Sequence, residues 1–598
     1  MARSSTTSAP APGAAPLPAA DAAALLRRNA ADAAISRRPA VRFGNEVWTH
    51  GEYVAESCRW AQLFLRWAAD RPGATDRPLH VGVLADNVPD YLFALGGAAL
   101  TGSTVVGLNH TRVGEHLARD VTHTDVDVVV TERHHLPALA AVAPHGDLPP
   151  VYVSERWSDD GTDGATAVEC DGVPSALDLG EALSAVPSDD PGIEPGADAR
   201  WALIFTSGTS GAPKAVVCSQ RRLLVTGNRL GMMMGLGPDD VGYVCMPLFH
   251  SNALMVGWAP SLVVGCSVGL ARRFSASRWL DDVRRYGATY FNYTGKPLSY
   301  LVATPERPDD ADNPLRIAFG NEGSPQVVEE FRRRFGVEVI DAFGSTEGAI
   351  AVDRSAPPRA GSVGVAGPSI RIVAADGAEL PAARFGPDGS LLNADECVGE
   401  IVNTAGAGPF EGYYANDEAT RTATRRGWYW SGDLGYLDDD RYLYFAGRTG
   451  DWLRVDGENF PAGPIDDALA AHPDVVLGVA YGVPDVHAGD QVMAALVLRD
   501  GAAFDPDGFA AWLDGESGLG PKWRPRYVRL AKVLPTTGTN KVLKRVLSTD
   551  KYRLERLGDD ELWVRDRGAD TYRRFTPGDE AGLRADLERA GRARFWEL

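Results

Sequence analysis

Cysteine is scarce in this chain: six in 598 residues, at Cys58, Cys170, Cys218, Cys245, Cys266 and Cys397, with no CxxC pair. That scatter speaks against a disulfide framework or a thiolate zinc site and fits reduced thiols in a cytoplasmic compartment. The eleven histidines form no HExxH or similar metal spacing. Positive charge is in deficit, with 60 Lys and Arg against 80 Asp and Glu and a net charge of −20. A nucleic-acid partner is not expected, because such partners need a basic surface. No long uninterrupted hydrophobic run is present either. The longest apolar stretch, residues 91–108, is broken by Gly, Ser and Thr and reads as a buried helix, a turn and a strand. A membrane span needs roughly 20 predominantly apolar residues, so no transmembrane span is expected; peripheral membrane contact is left open. The first twenty residues are rich in Ala, Pro, Ser and Thr, lack the apolar core of a secretory signal and read as a disordered tail.

What the chain does have is an ordinary globular balance, 44% hydrophobic and 23% charged, at a length that predicts two or more domains. Helical and strand-like patterns alternate from about residue 21 to 445. Residues 52–69 carry apolar positions at helical spacing; 79–84 and 126–130 read as short buried strands. This alternation predicts a large α/β body with parallel sheets. Residues 157–196 are polar and rich in Gly, Pro and Ser and are expected to be loops. From Arg448 onward, strand-like runs at 475–483 and 491–498 and a helix-like run at 505–513 predict a small α+β domain. The expected division is therefore a tail at 1–20, a body at 21–447 and a C-terminal domain at 448–598.

The strongest chemical signal is Ile204-Phe-Thr-Ser-Gly-Thr-Ser-Gly-Ala-Pro-Lys214. An apolar strand at 201–205 runs into a loop of small and hydroxylated residues, and 215–218 reads as a second strand. Gly208 and Gly211 let successive amides turn toward one anion. Thr206, Ser207, Thr209 and Ser210 add hydroxyl donors, and Lys214 adds a point charge. A Walker A loop needs a lysine followed by Ser or Thr and then a helix; here Pro213 precedes the lysine and a strand follows.

The loop resembles the phosphate-binding signature of the adenylate-forming superfamily: acyl-CoA synthetases, adenylation domains and luciferases. Further motifs of that pattern follow in order. Asp341-Ala-Phe-Gly-Ser-Thr-Glu347 is similar to the adenine and magnesium motif; the resemblance implies Phe343 and Gly344 at the purine, Thr346 at a phosphate and Glu347 on Mg²⁺. Trp430-Ser-Gly-Asp433 is similar to the ribose motif, where a carboxylate accepts from both hydroxyls. Gly447-Arg448-Thr-Gly-Asp451 is similar to the boundary motif; Arg448 would contact the nucleotide sugar, and Gly450 stands where the family often has Asp or Lys at the hinge. By the same resemblance Gly457 lines the path of coenzyme A. Leu534-Pro-Thr-Thr-Gly-Thr-Asn-Lys541 is similar to the C-terminal catalytic loop, with Lys541 bridging substrate carboxylate and α-phosphate. Lys544, three residues on, reads as a neighbouring surface charge.

Met246-Pro-Leu-Phe-His250, Arg273-Phe-Ser-Ala-Ser277, Asn292-Tyr-Thr-Gly-Lys296 and Gly320-Asn-Glu-Gly-Ser-Pro325 narrow the resemblance to the fatty acid transport protein and very-long-chain acyl-CoA synthetase branch. His250 then lies at the mouth of the acyl pocket, and Asn321 and Glu322 join the nucleotide-binding set. Lys296 and Asn540 depart from that branch, which commonly has Glu and an aromatic there. The resemblance implies a large N-terminal α/β domain of adenylate-forming type with a small, mobile α+β C-terminal domain. It also implies an ATP-dependent carboxylic acid:CoA ligase using ATP, Mg²⁺ and coenzyme A, with Thr206, His250, Glu347 and Lys541 as its catalytic residues. A fatty acid is the expected substrate. Delivery of the acyl-adenylate to a carrier protein, or a sterol-derived or aromatic acid, are the alternatives. A catalytically silent lipid-binding relative and a P-loop NTPase fit the motifs less well. Oligomeric state, a homodimer included, is left open.

Overall fold

The computed structural model describes residues 17–598 apart from 72–76, 158–167, 171–172, 207–213, 322, 324, 355–356, 358, 360, 388–390, 449–451, 456–457, 486–488, 516–518, 538–540, 590–595 and 597–598. Four sheets order the chain. In the first, the parallel strands Arg200–Thr206, Thr104–Gly107, His80–Leu84, Val128–Glu132, Val151–Ser154 and Val173–Asp178 lie side by side. The antiparallel edge strands Lys214–Ser219 and Val168–Cys170 close its two ends. The second runs Glu338–Asp341, Ile317–Asn321, Tyr290–Thr294, Val241–Val244, Ser267–Leu270 and Pro39–Phe43, all parallel, with Glu46–Thr49 returning antiparallel at the edge. Strands buried on both faces read as continuous apolar runs, and His80–Leu84 and Thr104–Gly107 are buried at every position.

Helix His50–Asp70 shows why the expected element forms. Thr49 accepts from the Glu52 amide while the Glu52 carboxylate accepts from the Thr49 amide, a reciprocal cap that settles the start. Its apolar face, including Trp60, Phe64 and Trp67, is buried against helix Pro89–Thr101, which is itself buried almost all round. The two helices approach closely because a Cβ at Gly97 would stand 2.9 Å from Trp60 Cβ. Gly102, at φ 73°, ends the second helix and Thr104–Gly107 follows, as read from the stretch 91–108. Among the described residues no helix is long and apolar enough to cross a membrane. Cys58, Cys218, Cys245, Cys266 and Cys397 are buried free thiols.

One expectation is corrected. Residues 157–196 are not loops throughout: Val173–Asp178 joins the first sheet beside Val151–Ser154, and helix Leu179–Ser184 follows with Asp178 as its cap. The strand pairs with its neighbours at only a few positions, and Pro174 and Ser175 interrupt its apolar residues, so the hydrophobicity pattern is silent.

The third sheet is antiparallel: Val352–Asp353, Gly364–Ala366, Tyr442–Arg448, Tyr429–Leu437, Gly399–Asn403 and Ile370–Val373. The change to the fourth sheet falls between Arg448 and Trp452. There Val475–Asp485 and Gly489–Leu498 pair over their full length, and Tyr527–Leu530 lies parallel to the latter. The stretch after Lys541 adds Glu561–Val564 and Arg573–Arg574 to this sheet. It also covers the sheet with Tyr552, Phe575 and Trp596. Helix Pro506–Gly515 packs Phe509, Ala510 and Leu513 into a second C-terminal core.

Candidate functional site

The first sheet delivers Thr206 and Lys214 as a pair. Strand Arg200–Thr206 is buried from Trp201 to Phe205 and returns antiparallel as Lys214–Ser219, with Thr206 opposite Lys214. A strand, not a helix, therefore follows the lysine. Ser207, Gly208, Thr209, Ser210 and Gly211 lie outside the described residues. The segment 412–414 runs along the outer edge of the returning strand: Val217 donates to Gly412 and Tyr414 to Ala215. This lays the Tyr413 ring beneath Lys214, whose Nζ stands 5.6 Å from the ring centroid. The Tyr413 hydroxyl then donates to Glu347 Oε1 at 2.8 Å. Lys214 and Glu347, predicted from separate motifs, thus share one tyrosine.

Glu347 sits in the turn after strand Glu338–Asp341, closed by Gly348 at φ 70° with its amide on Ser345. Arg222, nearly fully buried in the first turn of helix Gln220–Met233, donates to the Thr346 carbonyl and to Val217 O. Ser219 caps that helix and gives both its amide (2.7 Å) and its hydroxyl (2.5 Å) to Glu411. On the other side the Thr346 and Ser251 hydroxyls meet at 3.0 Å, so His250, one residue earlier, stands beside the phosphate turn. His250 leads into the π-helix Asn252–Trp258. Asn252 donates to Tyr293 O at 2.9 Å and lies 3.5 Å from Asn321 Oδ1. Asn321 ends strand Ile317–Asn321, held against its neighbour because a Cβ at Gly320 would fall 2.7 Å from the Tyr293 ring. Glu322 lies outside the described residues.

On the third sheet Phe343 meets Phe445 at 5.6 Å between ring centroids, and Phe445 is 40% exposed, leaving an open aromatic face. A Cβ at Gly344 would meet nothing within 4 Å. Asp433, 6% exposed, pairs across the ladder with Arg448, three residues beyond Phe445 on the same strand. The ladder thus puts the two candidate ribose-contacting positions in register on neighbouring strands. Gly450 and Gly457 lie outside the described residues. The Lys541 backbone is tied to Thr537: Thr537 N donates to Lys541 O and Lys541 N to Thr537 Oγ1. Lys544 is not a free surface charge: it pairs with Asp466 at 2.7 Å.

The site suits a magnesium ion. Glu347 offers a half-buried carboxylate fixed through one oxygen by Tyr413. Mg²⁺ takes one or two carboxylates beside phosphate and water oxygens. A second group of ligand-type atoms, from Asp86, Glu132, His134 and His135, lies within 4.8 Å elsewhere. There Arg272 already bridges Glu132 and Asp86. Against the effect of burial, hydrogen bonds from both imidazoles hold Asp86 well below the usual carboxylate range. Arg272 and the two imidazoles already partner the carboxylates, so the group reads as an ion-pair network.

Residues 26–414 match the family model of the AMP-binding enzyme, and residues 464–541 that of the AMP-binding enzyme C-terminal domain. The chain belongs to the AMP-binding enzyme family. Among its relatives, steroid-22-oyl-CoA synthetase of Rhodococcus jostii is 45% identical over 93% of this chain and 96% of that protein. Medium/long-chain-fatty-acid–CoA ligase FadD17 of Mycobacterium marinum is 46% identical over 84% of this chain and 94% of its own. The solved structure of the anthranilate CoA ligase AuaEII with anthranoyl-AMP shares the fold, with a TM-score of 0.74 at 19% identity over 89% of this chain and 97% of that one.

Local motifs singled out Thr206, Lys214, Glu347, Asp433 and Arg448 as candidates in this AMP-binding enzyme. The motifs did not single out Arg222, Ser251, Glu411 and Tyr413, which the fold brings against those candidates and their turn. No short pattern marks them, since each earns its place through a contact made across a long sequence separation.

Proposed function

We propose that this AMP-binding enzyme is an ATP-dependent carboxylic acid:CoA ligase acting on a large apolar acid, a medium to very long fatty acid or a sterol-derived acid. The observation that carries this reading is the Lys214–Tyr413–Glu347 linkage with Thr346 and Ser251 alongside. It gathers an anion-binding lysine, a metal-type carboxylate and hydroxyl donors around one point. The two relatives of about equal identity carry fatty-acid and steroid-acid names, which supports both acid classes.

The loop 206–214 would cradle the triphosphate of ATP, with Phe343 against the purine and Asp433 and Arg448 on the ribose. Magnesium, held by Glu347, would supply charge neutralisation at the phosphates. The acid's carboxylate oxygen forms a bond to the α-phosphorus and the bond to pyrophosphate breaks. Lys541, brought in on its loop, would offset the charge that crowds there as the two anions meet. The C-terminal domain, from residue 448, then turns about Gly450. The coenzyme A thiolate enters past Gly457 and attacks the acyl carbonyl, releasing AMP; a closure step of this kind can limit turnover. The enzyme is read as cytoplasmic, and light scattering after gel filtration decides between monomer and homodimer.

The test is mass spectrometry of purified protein with Mg-ATP and a panel of fatty, sterol-derived and aromatic acids, with and without coenzyme A. Acyl-CoA and AMP from the apolar acids are expected. Accumulation of acyl-AMP unaffected by coenzyme A would move the acceptor to a carrier protein; product from aromatic acids alone would overturn the apolar assignment.

A further inference from the structure

Lys544 opens helix Lys544–Asp550, where the helix dipole disfavours a cation and an acidic residue would be the local choice. A local rule broken at one position points to a use for the side chain. Its ammonium group reaches Asp466 Oδ2 at 2.7 Å on helix Gly463–Ala471, and both side chains are largely covered, 22% and 28% exposed. Asp466 is itself fixed, because its other oxygen accepts from the Ala480 amide on strand Val475–Asp485 at 2.5 Å.

Residues 535–537 and 541–543 are paired with each other. Leu543 N donates to Pro535 O, Thr536 bridges to Val542, and Thr537 bonds Lys541 at both ends of its peptide. Leu534 and Val542 are buried at the base of this pairing. The loop's stem is thus tied internally, and the Lys544–Asp466 pair joins its trailing end to the body of the domain.

We propose that Lys544 is a positioning residue for adenylation: its ion pair with Asp466 holds the loop that presents Lys541. This rests on the reading of Lys541 as the residue that bridges carboxylate and α-phosphate in the first half-reaction. Only that half needs the loop at the phosphates. Loosening the anchor therefore slows acyl-AMP formation and spares thioester formation, whereas a general loss of structure slows both.

The experiment uses the full-length enzyme as wild type, Lys544→Met, Lys544→Arg and Lys541→Ala. The first half-reaction is followed as single-turnover pyrophosphate release without coenzyme A. The second is followed from synthetic acyl-adenylate and coenzyme A. Lys544→Met is expected to slow the first about 10- to 100-fold, the scale of a misplaced catalytic group, and to leave the second within about twofold. Lys544→Arg restores most of the first. The melting temperature moves little, because an ion pair that water still reaches on both sides contributes little to the fold. Equal losses in both halves, or no loss in the first while Lys541→Ala abolishes it, overturn the positioning role alone. An intact first half in Lys541→Ala overturns the reading of the loop itself, and the role of Lys544 with it.

Discussion

Replacing Tyr413 by Phe removes a single hydroxyl and keeps the ring over which Lys214 lies. The lost bond runs from the Tyr413 hydroxyl to Glu347 Oε1 at 2.8 Å. Hydrogen bonds to a charged group are worth about 1.5–3 kcal/mol net. Glu347 is half-buried, so water recovers part of this and about 1–2 kcal/mol remains. At 1.4 kcal/mol per tenfold, the Mg²⁺ concentration for half-maximal activity should rise about 5- to 30-fold. That agrees with the roughly 10- to 100-fold cost of removing a partner that orients a metal ligand. The assay is acid-dependent ATP–pyrophosphate exchange with Mg²⁺ varied at fixed ATP. A normally folded Tyr413→Phe enzyme whose Mg²⁺ requirement stays within about twofold of wild type would falsify the assignment of Glu347 as metal ligand.

Two further outcomes concern stability. His80 is fully buried, with Nδ1 on Thr124 O at 2.7 Å and Nε2 facing the Arg200 guanidinium at 3.2 Å. Burial first, and then the cations Arg77 and Arg200, hold its pKa down to about 4 from 6.5. A base lowered on folding stabilises above its unfolded pKa, and that stability is lost as pH falls from 6.5 toward 4. The loss is about 3 kcal/mol, so urea midpoints for His80→Gln should depend less steeply on pH across this window than those of wild type; parallel curves would refute it. Gly320→Ala should cost about 1–3 kcal/mol by overpacking against Tyr293 and should weaken acid-dependent exchange. Gly344→Ala, with open space at its Cβ, should melt with wild type; equal melting of both variants would contradict the close contact.

Local signals explain how much was legible. The helix His50–Asp70 was legible over 52–69 through its apolar stripe, while its start was settled by the Thr49–Glu52 cap seen in the structure. The strand after Lys214 was readable because an apolar run resumes at once; its antiparallel return was not. The strand Val173–Asp178 was not, because it is short, Pro174 and Ser175 break its apolar residues, and its pairing with Val151–Ser154 and Val168–Cys170 is set by the sheet. The role of Lys544 was equally hidden: its partner Asp466 lies 78 residues away.

By itself the sequence determined the α/β class, the order of the motifs and the chemistry each could perform, because caps, turns and phosphate loops are written in adjacent residues. Tertiary structure alone decided that Tyr413 joins Lys214 to Glu347, that Arg222 holds the Thr346 carbonyl, and that Ser251 reaches Thr346 across 95 residues. Those contacts arise where the edge of one sheet meets the turn leaving another. Sheet packing sets that meeting point, and no short run of residues encodes it.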